Sequence, residues 1–394
     1  MALPPPLPTG FGPARQGEVY MKAMLGGQRP IQPISQAGLH AAARAKITPE
    51  AWAYIAGGAG SGATIDANRT ALDRWQIVPR MLRDVSVRDL SVSVLGKPRA
   101  HPLMIAPIGV QEMVHEDADL ATATAAKTVG VPMIISNQAS FPMEAIAAEL
   151  GDTPFWFQLY WGKSDALVAS LVRRAEACGA EAIVVTLDTS ILGWRTQDLD
   201  LGFLPFLKAQ GIAQYTSDPV FRGLLGDNAD DKHAQSVLFM TTYSNPALTW
   251  DKLAYLRDHT KLPIFLKGIN HRDDAARAVA LGMDGLIVSN HGGRQVDGAI
   301  GAIDALEHVA LAAAGRVPVL FDSGIRGGAD IFKALALGAT SVLIGRPYIY
   351  GLALNGANGV ASVLTDMLAE LDLTLGLAGC ASIAEVTREM LTRA

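Results

Sequence analysis

The residues of this chain best suited to chemistry lie in three short groups: Ser289-Asn290-His291-Gly292-Gly293-Arg294, Asp322-Ser323-Gly324-Ile325-Arg326, and Gly345-Arg346. An imidazole near its ordinary pKa takes a proton at neutral pH, and a guanidinium fork grips carboxylate or phosphate. Glycine lets backbone N–H groups come close to anionic oxygens. Of the eight histidines, only His291 directly follows an apolar run and has an arginine three residues later. It is the candidate base for a hydroxyl proton, with Asp188 as the carboxylate that can stabilise the resulting imidazolium. Arg294 and Arg195 can clamp a substrate carboxylate beside it. Lys267 also ends an apolar run, and a buried ammonium needs an anionic partner. An anionic cofactor and a Schiff-base reaction are both open readings of that lysine. No HExxH and no paired cysteines are present, so the sequence offers no metal site.

These residues need a scaffold that brings distant segments to one place. From about residue 101 the chain repeats a short apolar run, a polar or glycine-rich turn, and a helical stretch. The eight runs are 102–107, 131–136, 154–160, 182–188, 263–267, 285–290, 317–322 and 341–345. Continuous apolarity marks strands covered on both faces, and eight βα units predict a closed (β/α)8 TIM barrel rather than an open doubly wound sheet. One predicted helix, 163–179, has Leu167, Leu171 and Cys178 on one face and Gly179 as its stop. Residues 1–100 form an N-terminal extension and 101–394 the barrel. A long insertion after the fourth strand, 196–248, is a candidate lid through Tyr215. The acidic stretch Asp227 to His233 within it reads as a solvated excursion.

In such barrels the active site lies at the C-terminal ends of the strands. The informative positions are therefore Gly109, Ser136, Gln158 and Tyr160, Thr186 and Asp188, and Lys267, followed by the three groups above. The last two loops, where barrels commonly bind phosphate, each set arginine beside glycine. The run Gly58 to Ala63 matches a loose GxGxxA fingerprint, but a helix precedes it where a strand is required, so it reads as a flexible helix-ending turn.

Thirty-three basic against 38 acidic side chains, a net charge of −5, make no basic stripe for a nucleic acid or an anionic membrane. Cys178 and Cys380 lie in no CxxC and read as small buried residues of a reducing, cytoplasmic setting. The Pro-rich start, residues 1–10, has no secretory h-region and reads as a loose arm. The uncharged stretch 347–365 is broken by glycines, Asn355, Asn358 and Ser362, so no membrane span is expected.

The ordered set Tyr54-Ile-Ala-Gly-Gly, Ala106-Pro-Ile-Gly109, Phe157-Gln-Leu-Tyr160, Thr186-Leu-Asp-Thr189, Leu266-Lys-Gly, Ser289 to Arg294, Asp322 to Arg326 and Ile344-Gly-Arg-Pro347 resembles the FMN-dependent L-2-hydroxy acid oxidising enzymes. The resemblance covers nearly the whole chain. Pro205-Phe-Leu and Thr216-Ser-Asp-Pro-Val-Phe221 resemble its lactate 2-monooxygenase branch. It implies that His291, beside Asp188, removes the substrate hydroxyl proton as a hydride equivalent passes to the flavin, with Tyr160 holding the hydroxyl oxygen. Tyr54, Arg195 and Arg294 would bind the carboxylate, and Lys267 would stabilise the reduced flavin. Pro107, Ser136, Gln158, Thr186 and Ser289 would contact the ring or ribityl chain. Asp322, Arg326, Gly345 and Arg346 would hold the ribityl and phosphate end, with Ile108, Gly109, Ser323 and Gly324 completing the FMN set.

Many oxidases of the family carry Ala where this chain has Gly109, and the monooxygenase branch resembles this chain in carrying Gly. The missing methyl is expected to enlarge the space over the flavin. Ser136-Asn137-Gln138 matches neither pattern, so the resemblance leaves the substrate side chain open. The expected reaction is oxidation of a small L-2-hydroxy acid, L-lactate first, with O2. The keto acid is then decarboxylated in place to give acetate, CO2 and water. The alternative is an oxidase that releases keto acid and hydrogen peroxide. A non-catalytic FMN-binding module is the reading from another class, and the base flanked by two arginines argues against it. The family implies a homo-oligomer, tetramer or octamer.

Overall fold

The computed structural model describes residues 10–394, so nearly all of the Pro-rich start lies outside the described residues. Eight short parallel strands close into a barrel: β1 (Leu103–Ile105), β2 (Met133–Ile135), β3 (Phe155–Leu159), β4 (Ile183–Thr186), β5 (Ile264–Lys267), β6 (Gly285–Val288), β7 (Val319–Phe321) and β8 (Ser341–Ile344). Each pairs with the next, and β8 closes on β1 through Val342 opposite Leu103. All eight lie inside the expected runs.

Side chains on a strand alternate between faces, and this divides the core in two. Met104, Ile134, Trp156, Val184, Phe265, Ile287, Leu320 and Leu343 point inward and make a plug of their own. The Trp156 and Phe265 rings meet at 4.5 Å in its middle. Gly285 is required there, because a β-carbon would overlap the Phe265 ring. Truncating Phe265 to Ala would open a cavity costing about 3–5 kcal/mol. Two residues beyond the plug, on the same inward face, stand Ala106, Ser136, Gln158, Thr186, Lys267, Ser289, Asp322 and Gly345. The strand period thus sets a ring of mostly polar residues directly above an apolar floor.

Helices cover the outside. Asp165–Ala177 starts at Ser164, whose hydroxyl accepts from the N–H of Leu167 and caps it, and ends at Cys178 before Gly179 at φ +89°. Cys178 is only partly buried, unlike Cys380. The hairpin Val92–Val94 and Lys97–Arg99 closes the opposite end of the barrel, with Val94 against the inner plug and both Lys97 and Arg99 paired with Glu181. The N-terminal helix Phe11–Gly26 is tied to the long kinked helix Arg346–Leu377 by Arg15 to Asp366 at 2.8 Å and by the Gly12 N–H to Asp372 at 2.7 Å. A further ribbon pairs Trp75–Ile77 with the last strand, Leu391–Arg393. Among the described residues no helix is long and apolar enough to cross a membrane.

The insertion is built of short helices rather than open loop. Phe206, Tyr215, Phe239 and Tyr243 pack ring against ring, with Phe206 to Phe239 at 5.0 Å and Phe239 stacked on Tyr243 at 5.1 Å. Arg174 fastens it to the barrel by bonding Glu144, Asp218 and the Gln214 carbonyl. Its acidic stretch is solvent-facing, and Asp231 there caps the helix Lys232–Thr242.

Candidate active site

A cavity of about 990 Å³ opens above the polar ring. Its wall includes Tyr54, Pro107, Ile108, Gly109, Gln158, Tyr160, Thr186, Arg195, Lys267, His291, Arg294, Asp322, Ser323, Gly324, Arg326, Gly345 and Arg346. The sequence had singled out every one of these. Asp188, Ser136 and Ser289 stand behind the wall. Asp188 reaches the cavity through His291, Ser136 sits behind Gln158, and Ser289 joins Lys267 to the His291 backbone.

His291 sits in a left-handed conformation at φ +57°, sparsely populated for a non-glycine residue. Its backbone N–H donates to the Ser289 hydroxyl at 3.0 Å, and its Nδ1 lies 2.8 Å from Asp188 Oδ1. That contact leaves Nε2 facing the cavity, 3.5 Å from the Tyr160 hydroxyl. Burial pulls the His291 pKa below the ordinary imidazole value, with Asp188 opposing. Burial would raise Asp188, but His291 and Lys267 outweigh it and hold the carboxyl below its usual range. The resting pair is therefore a carboxylate and a neutral imidazole able to take a proton.

Lys267 Nζ donates to Ser289 Oγ at 2.7 Å and lies 3.1 Å from Asp322 Oδ2. Burial acts to lower its pKa, but Asp322 and Asp188 prevail and raise it. A lysine kept charged in this way is a poor amine nucleophile, which removes the Schiff-base reading.

Two arginine pairs occupy the rest of the wall. The Arg195 and Arg294 guanidinium carbons lie 6.0 and 5.1 Å from the Tyr54 ring centre, and neither has a salt-bridge partner among the described residues. Burial, then Arg195, pulls the Arg294 pKa down to about 9. The Arg326 and Arg346 guanidinium groups bond only to carbonyls among the described residues: Arg326 to Ile325 at 2.8 Å, and Arg346 to Ile55, Gly292 and Gly57 at 3.2, 2.9 and 2.9 Å. Burial, then mutual repulsion, lowers Arg326 to about 10. Buried cations without a carboxylate call for an anionic ligand.

Gly57 also accepts from Arg294 at 2.8 Å, and Ala59 donates to the Gly293 carbonyl at 2.9 Å. The glycine turn expected to be flexible is thus a packed anchor for one arginine of each pair, Arg294 and Arg346. Tyr215, expected in the lid, is buried and does not reach the cavity; its hydroxyl donates to Asn137 at 3.3 Å. The insertion instead contributes Phe206 and Tyr243, and neighbouring loops add Gln138 and Leu192. None of these four had been singled out as a site residue. Gln138 was detectable as a polar residue just past a strand end, whereas the insertion residues carry no such local mark.

Gly109 lines the cavity, and a β-carbon there would stand 2.7 Å from the Gln138 β-carbon and 2.8 Å from its carbonyl oxygen. The wall fits a phosphate-bearing flavin. The buried Gln158 Nε2 and Thr186 Oγ1 have no hydrogen-bond partner, and they line the same cavity as the charged Lys267 and the phosphate-type cluster of Arg326, Arg346, Ser323 and Gly324.

A parallel barrel with a histidine–aspartate pair, free arginines and a cationic phosphate cradle at its C-terminal mouth defines a phosphate-cofactor enzyme acting on a small anionic substrate. Residues 43–393 match the family model of FMN-dependent dehydrogenases. The FMN-dependent alpha-hydroxy acid dehydrogenase qulF of Penicillium citrinum is 41% identical over 98% of this chain and 97% of its own length. The L-lactate oxidase of Lysinibacillus sphaericus is 43% identical over 89% of this chain and 90% of its own. A crystal structure of mandelate oxidase with (S)-4-hydroxymandelic acid superposes with a TM-score of 0.82 at 39% identity, covering 92% of this chain and 99% of that one. The chain belongs to the FMN-dependent dehydrogenase family. It is an FMN-dependent 2-hydroxy acid oxidoreductase.

Proposed function

We propose that the chain oxidises small L-2-hydroxy acids of lactate's size and uses O2 as the oxidant. The observation that carries this reading is the His291–Asp188 contact of 2.8 Å, in a cavity that also presents two arginines without an acidic partner. Arg195 and Arg294 hold the substrate carboxylate over the Tyr54 ring. Their grip turns the C2 hydroxyl toward Tyr160 and His291 Nε2. The neutral imidazole takes the hydroxyl proton, and Asp188 stabilises the cation that results. When bound, FMN would supply the two-electron acceptor for the C2 hydrogen, with O2 as the final oxidant. Lys267 would present its positive charge to that group, and Gln158, Thr186, Arg326 and Arg346 would hold it.

For the second half of the reaction we favour oxidative decarboxylation, which takes L-lactate and O2 to acetate, CO2 and water. Its support is the insertion, whose Phe206 and Tyr243 wall the cavity and are braced by a buried aromatic cluster. Such a cover keeps the keto acid beside newly formed peroxide. A plain oxidase is the second reading. It is favoured by the L-lactate oxidase among the relatives. Incubating the yellow protein with L-lactate in air and measuring pyruvate, acetate and peroxide together decides between them. Acetate without peroxide supports the first. Peroxide equal to lactate consumed supports the second. No bleaching of the flavin by any 2-hydroxy acid overturns both.

A further inference from the structure

Gln295 follows Arg294 in the loop after β6 and does not line the cavity, yet its side chain makes four hydrogen bonds to the loop after β4. Its Nε2 donates to the Asp188 carbonyl and to the Ile191 carbonyl, each at 2.9 Å. Its Oε1 accepts from Arg195 Nη2 at 3.0 Å and from the Gly193 N–H at 3.4 Å. A side-chain amide has two donor hydrogens and one oxygen with two lone pairs, so its whole bonding capacity is turned toward one loop. At one end of that loop stands Asp188, the partner of the base. At the other stands Arg195, half of the carboxylate clamp.

The loop has little apolar packing to fix it. Ile191 is 63% and Trp194 72% exposed, so the stretch between the two ends buries little surface. Elsewhere it is held at single points: the Ser190 carbonyl accepts from the Ser244 hydroxyl at 2.6 Å, and the Trp194 carbonyl accepts from the Gly60 N–H at 2.7 Å. A β-carbon on Gly193 would stand 2.6 Å from the Arg294 carbonyl oxygen and 2.8 Å from that of Gln295, so the loop lies flat against residues 294 and 295. Where so little surface is buried, polar ties decide the conformation.

We propose that Gln295 is the positioning residue that keeps the carboxylate clamp in register with the base, and that its neutrality is part of the role. This rests on the reading of the cavity as a 2-hydroxy acid site. In such a substrate the carboxylate and the hydroxyl-bearing carbon are directly joined. A shift of about 1 Å between Arg195 and the His291–Asp188 pair therefore takes the hydroxyl away from Nε2. Gln295 holds the Asp188 main chain with the nitrogen of its amide and Arg195 with the oxygen, so one planar group sets that separation. Charge matters as well. A carboxylate at this place would pair with Arg195 and compete with the substrate anion, whereas an amide oxygen aims the guanidinium and leaves its charge free.

The test uses FMN-loaded protein and reads the KM for L-lactate together with the limiting rate of anaerobic flavin reduction. Gln295→Leu removes all four bonds and leaves Arg195 charged, so the limiting rate should fall about 10- to 100-fold. Gln295→Glu keeps an oxygen for Arg195 but adds a charge, and its KM should exceed that of Gln295→Leu by about 10-fold. A residue that merely braced the loop predicts the opposite order, because Glu retains a partner for Arg195 and Leu retains none. Gln295→Met repeats the loss of the amide with a side chain closer in shape, and an unchanged flavin absorbance band in each variant shows that the cofactor site is intact. Wild-type reduction rates in both Gln295→Leu and Gln295→Met overturn the proposal, as does a KM in Gln295→Glu at or below that of Gln295→Leu. Those outcomes leave the 2-hydroxy acid reading standing. Failure of L-lactate, glycolate and (S)-mandelate alike to bleach the wild-type flavin overturns that reading and this proposal together.

Discussion

A β-carbon on Gly109 would stand 2.7 Å from that of Gln138 and 2.8 Å from its carbonyl oxygen. The glycine therefore lets the first and second βα loops touch, and a methyl must push the Gln138 loop outward. In Gly109→Ala the cover over a bound keto acid should loosen and release should quicken. The expected outcome is a product ratio moved toward peroxide, read by measuring acetate and peroxide from L-lactate. An unchanged ratio would remove this contact from the account of product partition.

The His291–Asp188 pair sets a pH dependence. Activity needs the imidazole neutral, and burial puts its pKa below the ordinary value. kcat/KM should therefore be lost as pH falls through a value on the acid side of free histidine. Asp188 opposes that depression, so Asp188→Asn should move the acid limb to still lower pH. It should also slow flavin reduction by roughly 10²- to 10⁴-fold, since the imidazolium loses its counter-charge. A limb that stays in place in the variant would mean that another group controls it.

Arg346 bridges Ile55, Gly57 and Gly292 through three carbonyls and makes no salt bridge among the described residues. Removing a forked, charge-assisted donor from a phosphate costs about 1.5–3 kcal/mol. Arg346→Ala should accordingly raise the FMN dissociation constant by roughly 10- to 100-fold, as measured by the fluorescence of released flavin. Arg346→Lys should recover only part of this, because it restores charge without the fork. Wild-type affinity in both variants would move the phosphate elsewhere.

Asp119 is fully buried, and its Oδ2 accepts from the Ser140 N–H at 2.7 Å. Burial raises its pKa to about 7. Unfolded, the same carboxyl ionises near 3.8, so between these values the folded chain binds the extra proton. Stability from this group is lost as pH rises through that window. Asp119→Asn keeps an acceptor and cannot ionise. Its Tm advantage over wild type should be larger at pH 8 than at pH 5, on the order of 2–4 kcal/mol in stability. Parallel Tm profiles for the two proteins would contradict this.

Much of the barrel and its mouth was legible in the sequence, because strands buried on both faces read as continuous apolar runs. The polar residue closing such a run has to sit at the strand's end. Ser136, Gln158, Thr186, Lys267, Ser289 and Asp322 are found by that rule alone. Phe206 and Tyr243 are not, since their approach depends on how the insertion folds back across the mouth. The direction of the missing methyl at Gly109 is likewise a matter of two loops meeting, which no residue type announces. The turn at Gly57 looks like simple helix punctuation until Arg294 and Arg346, more than two hundred residues later, are seen to converge on its carbonyl.

The ribbon of Trp75–Ile77 with Leu391–Arg393 has a consequence for biosynthesis. β1 waits for β8 to close the ring, and the segment at residue 75 waits for Leu391–Arg393, more than three hundred residues on. A nascent chain can gather its first βα units while translation continues, but each sheet stays open at one edge until residues 341–344 and 391–393 have been made.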